Sequence, residues 1–169
     1  MQKKLSLWAQ ENPTEQRREL YNLLYDTNWL RMAYLAVNAN KGRETAGVDS
    51  MRMTNFNADV EGNLQILSEE LRSRTFEPMP VKRVYIPKTN GKKRPLGIPT
   101  IRDRIVQETL RMILEPIWES DFSRHSYGFR PNRSTYDAIT YIGNKLTGYG
   151  SSYQWIIEGD IASYFGAPG

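Results

Sequence analysis

Residues 158–169 read EGDIASYFGAPG. Asp160 stands in an apolar stretch, with Glu158 two residues earlier on the same side of an extended chain and the aromatics Tyr164 and Phe165 just beyond. A carboxylate so placed is either a metal ligand whose partners lie elsewhere or a plain strand-end aspartate. The other residues with chemistry to offer are cations. Lys88, Lys92, Lys93 and Arg94 crowd around a short glycine turn in PKTNGKKRP, where ammonium and guanidinium groups could surround a triphosphate or the backbone of a nucleic-acid strand. A surface hairpin with solubilising charges has the same local pattern.

The basic charge is concentrated. Residues 81–111 hold Lys82, Arg83, Lys88, Lys92, Lys93, Arg94, Arg102, Arg104 and Arg111 against Asp103 and Glu108, although the whole chain carries a net charge of only +4. The remainder is therefore net acidic, and a local basic field of this kind favours polyanions; an ordinary solvated Lys/Arg face is the alternative on charge alone. With no cysteine there is no disulfide, thiolate zinc site or thiol nucleophile, and the single histidine, His125, rules out a histidine-rich metal site. At 169 residues, 39% of them hydrophobic, the chain suits one globular domain or two small ones. No run approaches the roughly 18 apolar residues that span a bilayer, nor does the N-terminus carry an apolar stretch of signal-peptide length. A cytoplasmic location and no membrane partner are expected.

The elements that must position these residues follow from periodicity and punctuation. Leu20, Leu23, Leu24, Trp29, Leu30, Ala33 and Val37 recur near helical spacing, predicting one or two helices between Thr14 and Ala39. NANKGRETAGVDS breaks the pattern and reads as a loop. Val60, Leu64, Leu67 and Leu71 mark an amphipathic helix over about 57–74, stopped by TFEPMP. VKRVYIPK and KKRPLGIP flank Asn90-Gly91, a hairpin signal, with Pro87 and Pro95 pointing to edge strands. Thr100 and Asp103 form a capping pair for a helix on Ile101, Ile105, Leu110, Ile113 and Leu114, which Pro116 should kink or end. SRHSYGFRPNRS is irregular and basic; Ser134 and Asp137 cap a further helix to about Leu146. The run YQWIIEGDIASYF reads as strand.

The wording and order of these segments carry more than their periodicity. VYIPKTNGKKRPLGIPTIRDRIVQETL, then SYGFRPNRSTYDAI, then WIIEGDIASYF resemble the N-terminal half of the reverse transcriptase domain of bacterial group II intron-encoded proteins, and NKGRETAGVD is similar to that family's short N-terminal block. The resemblance spans residues 40–165. It implies an α+β fold: right-hand polymerase fingers with a partial palm, built of helices plus a small antiparallel hairpin. It divides the chain into an N-terminal helical extension and family block (1–56), fingers (57–150), a first palm strand (151–165) and a linker or engineered scar (166–169).

By the same resemblance, Lys88 and Arg94 match finger residues that hold the phosphates of an incoming dNTP, and Asp160 matches the first palm aspartate, a ligand of two Mg²⁺ ions. Phe165 matches the aromatic gate beneath the sugar, and the backbone between the two, Ile161 included, lines the nucleotide pocket. Arg130 and Arg133 of SYGFRPNR match the motif that lies along template and nucleotide; Lys82, Arg83, Lys92, Lys93, Arg102 and Arg104, read from the basic stripe and not from the resemblance, are the other expected contacts to RNA. Tyr127 and Phe129 read as packing residues and His125 as a hydrogen-bonded loop residue.

The chain departs from the family at Gly166, where relatives usually have aspartate. GAPG has no counterpart, and the Tyr-X-Asp-Asp turn does not occur. Because a two-metal site needs several carboxylates, this polypeptide is expected not to polymerise by itself, and an unpaired sheet edge suggests a homodimer or another stabilising partner. A second reading is a non-catalytic RNA-binding module with Asp160 vestigial; a third is a fragment of a CRISPR-associated or defence reverse transcriptase.

Overall fold

The computed structural model describes residues 2–12, 20–87, 89, 91, 93–147, 153 and 155–161. It separates into two units, Met1–Asp121 and Phe122–Gly169.

In the first unit, α1 (Gln2–Glu11), α2 (Leu20–Leu24), α3 (Thr27–Ala39), α4 (Met53–Phe56) and α5 (Val60–Ser73) precede the hairpin strands β1 (Lys82–Pro87) and β2 (Lys93–Ile98), and α6 (Ile101–Trp118) follows. A single 3₁₀ turn, Asn57–Asp59, joins α4 to α5. The core lies where α1, α2 and α3 pack against α6, and α3 against α5. Its centre is Trp29, Leu30, Ala33, Met53, Phe56, Leu67, Ile101 and Ile105. All but Met53 and Phe56 of α4 belong to the apolar stripes legible in sequence, and burying them is the main stabilising term. Helix α1 lies in the expected N-terminal helical extension but buries only Leu5 and Ala9, too few for a clear apolar stripe of its own.

Local chemistry sets the helix ends. The Asp26 carboxylate accepts from the amides of Asn28 (2.8 Å) and Trp29 (3.3 Å), starting α3. The Thr100 hydroxyl accepts from the Asp103 amide at 3.2 Å and donates to its carboxylate at 2.7 Å, and both residues are buried. Helix α5 ends before the prolines, at Arg74, which takes a left-handed conformation (φ 60°) and donates its amide to Glu70 and Leu71 carbonyls.

Pro116 does not end α6, which runs on to Trp118. Proline at this position leaves the Met112 carbonyl, four residues back, without its helical donor. The Gln2 side-chain amide of α1 supplies one instead, at 3.1 Å.

The second unit contains α7 (Thr135–Thr147), capped as expected: Ser134 Oγ accepts from the Asp137 amide at 3.2 Å, while the Asp137 carboxylate accepts from the Ser134 amide at 2.8 Å. That hydrogen bonding, the Ser134 hydroxyl first, holds the Asp137 carboxyl below its usual range. Tyr153 and residues 155–161 are exposed and form no strand. The sequence suggested one; a strand exists by pairing, and no described residue of this unit lies in a ladder that could receive it. Among the described residues, no helix is long and apolar enough to cross a membrane.

Candidate nucleic-acid interface

The hairpin is antiparallel, with Lys82 opposite Ile98, Val84 opposite Leu96, Tyr85 opposite Pro95 and Pro87 opposite Lys93. The described pairing ends at Pro87 and Lys93. Gly91 takes φ 75°, a left-handed conformation that favours glycine. Lys88, Asn90 and Lys92 lie outside the described residues.

Because side chains alternate across a strand, this register sorts the hairpin into two faces. One carries Lys82, Val84, Ile86, Arg94, Leu96 and Ile98, with Val84, Ile86 and Ile98 half-buried; the other carries Arg83, Tyr85, Pro87, Lys93, Pro95 and Gly97, all exposed. Among the described residues, the side chains of Lys82, Arg83, Lys93 and Arg94 make no ion pair or hydrogen bond. No acidic residue occurs between Glu77 and Asp103.

The cations of α6 are placed differently. Arg102 pairs with Glu70 and lies over the Phe76 ring, 5.9 Å from its centroid. Arg104 binds three backbone carbonyls: Nε donates to Pro99 at 3.0 Å, Nη1 to Gly42 at 3.1 Å, and Nη2 to Thr45. The Arg104 fork thus ties the 40–45 loop to the hairpin root. Gly47 belongs to the same junction, since a Cβ there would come within 2.8 Å of Thr100 Cα and 2.9 Å of Thr100 N. A cleft of about 300 Å³ opens here, lined in part by Asn40, Thr45, Leu96 and Arg104. Arg111 is bracketed by Glu108 and Glu115, and the Glu108 hydrogen bond leads the effects that raise its pKa. Sequence reasoning grouped Arg102 and Arg104 with the hairpin cations. The glycine in an otherwise polar loop was the available signal for the clamp.

In the second unit, Arg130 donates to the Ser123 and Ser126 carbonyls at 2.9 and 3.0 Å and lies over Phe122. Arg133 donates to the Arg124 carbonyl at 3.1 Å and covers the Tyr127 ring. Tyr127 is thus a packing residue, but Phe129 is fully exposed on a left-handed backbone (φ 57°). His125 accepts from Arg124 Nε at 3.1 Å and packs on Tyr141. Glu158, Asp160 and Ile161 are exposed, and Phe165 lies outside the described residues. No group of three or more His, Cys, Asp or Glu that could hold a metal occurs among the described residues. The described carboxylates therefore do not make a two-metal centre.

Residues 86–166 match the model of the family described as "Reverse transcriptase (RNA-dependent DNA polymerase)". The chain is 48% identical to Protein YkfC of Escherichia coli over 98% of its own length and 44% of that protein. It is 38% identical to the group II intron-encoded protein LtrA of Lactococcus lactis subsp. cremoris, over 96% of this chain and 26% of LtrA. It is 36% identical to the putative COX1/OXI3 intron 2 protein of Saccharomyces cerevisiae, over 86% of this chain and 16% of that protein. The chain spans less than half the length of these curated relatives. The motif order, the helix-rich unit with its antiparallel hairpin and these matches agree: residues 86–166 match a reverse transcriptase segment, and the chain is similar along nearly its whole length to group II intron-encoded proteins.

Proposed function

We propose that this chain forms the fingers and the start of the palm of an RNA-directed DNA polymerase encoded by a group II intron, a maturase that also assists splicing and intron mobility. The observation that carries this reading is the hairpin: four cations without acidic partners among the described residues, in and next to the segment that matches the reverse transcriptase model. Guanidinium and ammonium groups left unpaired in the fold are available to phosphate oxygens. Lys88 and Arg94 are assigned to the dNTP triphosphate, where they would offset charge developing during phosphoryl transfer. Lys82, Arg83, Lys92 and Lys93 are assigned to RNA. Arg102, Arg104, Arg130 and Arg133 are engaged within the fold, and the reading does not need them. Asp160 is assigned as one carboxylate ligand of Mg²⁺, Phe165 as the sugar gate, and the Ile161 backbone as part of the nucleotide pocket.

The test is primer extension on an RNA template by the complete gene product. Arg94→Ala should lower kcat/KM for dNTP on the order of 100-fold while RNA affinity stays nearly constant, and Asp160→Ala should abolish extension. If Arg94→Ala leaves extension intact but weakens RNA binding and flattens its salt dependence, Arg94 grips RNA and the binding-module reading holds instead.

A further inference from the structure

The two faces of the hairpin differ in what they can bind. Arg83, Tyr85 and Lys93 lie on one face in order from root to tip, because Arg83 pairs with Gly97, Tyr85 with Pro95, and Lys93 with Pro87. Tyr85 is 60% exposed, and neither its ring nor its hydroxyl has a described partner. The residue opposite it is Pro95, and Val81 lies over Gly97 at the root: a Cβ on Gly97 would meet a Val81 methyl at 2.8 Å. The half-buried positions of β1 are Val84 and Ile86, on the other side. Tyr85 is therefore an aromatic surface held outward between two cations that lack counter-ions among the described residues.

We propose that this face is a stacking platform for single-stranded nucleic acid, with a base on the Tyr85 ring and the flanking phosphates on Arg83 and Lys93. Charge complementarity selects the occupant. No acidic residue occurs between Glu77 and Asp103 to answer these cations, and an aromatic between cations meets both components of a single strand, base and phosphate. In a duplex the base faces are already stacked, so the platform discriminates against double strands. The proposal deepens the RNA-binding reading above and rests on it, naming the strand state recognised and the residue that reads it.

The experiment compares the full chain with its Tyr85→Ala, Tyr85→Phe and Arg83→Ala variants. Binding to a fluorescent 12-nucleotide RNA, the same sequence as DNA, and the corresponding duplexes is measured across a salt series. Tyr85→Ala should weaken single-strand binding roughly 5- to 100-fold, leave duplex binding and the salt slope unchanged, and be rescued by Tyr85→Phe. Arg83→Ala should instead reduce the single-strand slope by about 0.7. Equal losses on RNA and DNA are expected for a platform that reads base and phosphate; a loss confined to one polymer would overturn that mode of reading.

If Tyr85→Ala leaves single-strand affinity unchanged, or weakens duplex binding equally, the platform is overturned while the phosphate role of Arg83 stands or falls on its own slope. If the chain binds no single strand even at low salt, both readings are overturned. Tyr85 contributes nothing to the core, so its variants should fold, and thermal unfolding coincident with the parent chain checks this.

Discussion

The hairpin and the helix that follows it share one run of basic residues, yet their cations do opposite things. Lys82, Arg83, Lys93 and Arg94 have no acidic or hydrogen-bonding partner among the described residues, whereas Arg102, Arg104 and Arg111 are bound by Glu70, by three backbone carbonyls, and by Glu108 with Glu115. The helix has acidic residues within reach and a loop whose carbonyls need donors. The hairpin has neither. Charge density along a sequence thus reports a polyanion site only where the fold leaves that charge unanswered.

The comparison can be broken most forcefully by reversing charge. Arg83→Glu together with Lys93→Glu should reduce RNA affinity at about 0.15 M salt by more than roughly 100-fold through lost and repelled phosphate contacts, with no change in thermal unfolding, as expected for exposed unpaired side chains. A fall in Tm matching that of a core substitution would show that these cations hold the hairpin together. Conversely, Arg104→Ala should lower stability by about 1–3 kcal/mol, because carbonyls at the loop junction lose charged donors, and Arg104→Lys should not restore it, since an ammonium cannot span the three acceptors. Urea denaturation measures both. An Arg104→Ala chain of unchanged stability contradicts the clamp.

Gly47→Ala probes the same junction by sterics. Its Cβ meets backbone, not a yielding side chain, so a loss of about 1–3 kcal/mol is expected. Thr100→Ala, removing the cap beneath that junction, should cost about 1 kcal/mol.

The smallest expected effect lies in the second unit. The folded-state pKa of Asp137 is depressed by its bonds to Ser134, so its contribution is present above the unfolded carboxyl range and lost as pH falls through the folded value. Helical signal from α7 should decline on acidification, and Asp137→Asn should flatten that decline; identical circular-dichroism titrations would contradict it.

Much of this architecture is legible in the amino-acid sequence. The stripes of α3 and α5, the hairpin, and the caps at Thr100 and Ser134 are local features whose physics is complete within a few residues. What the sequence does not disclose depends on distant partners. Pro116 continues a helix because Gln2, at the other end of the unit, donates to the freed Met112 carbonyl. Arg104 is a clamp because the 40–45 loop returns to it. The strand expected around Asp160 failed for the same reason, since its identity depends on a neighbour. Tyr85 carries no signal of its own in the sequence, because strand faces are told apart only once the register is known.

The most direct measurement is the salt dependence of single-stranded RNA binding by two multiple variants. One replaces Lys82, Arg83 and Lys93 with Ala; the other replaces Arg102 and Arg104. The hairpin variant should lose about 2 from the slope of log affinity against log salt, at about 0.7 per phosphate contact, and keep its stability. The helix variant should keep its slope and lose stability. An unchanged slope in the hairpin variant, or a slope lost instead in the helix variant, would contradict the division of labour on which the functional reading rests.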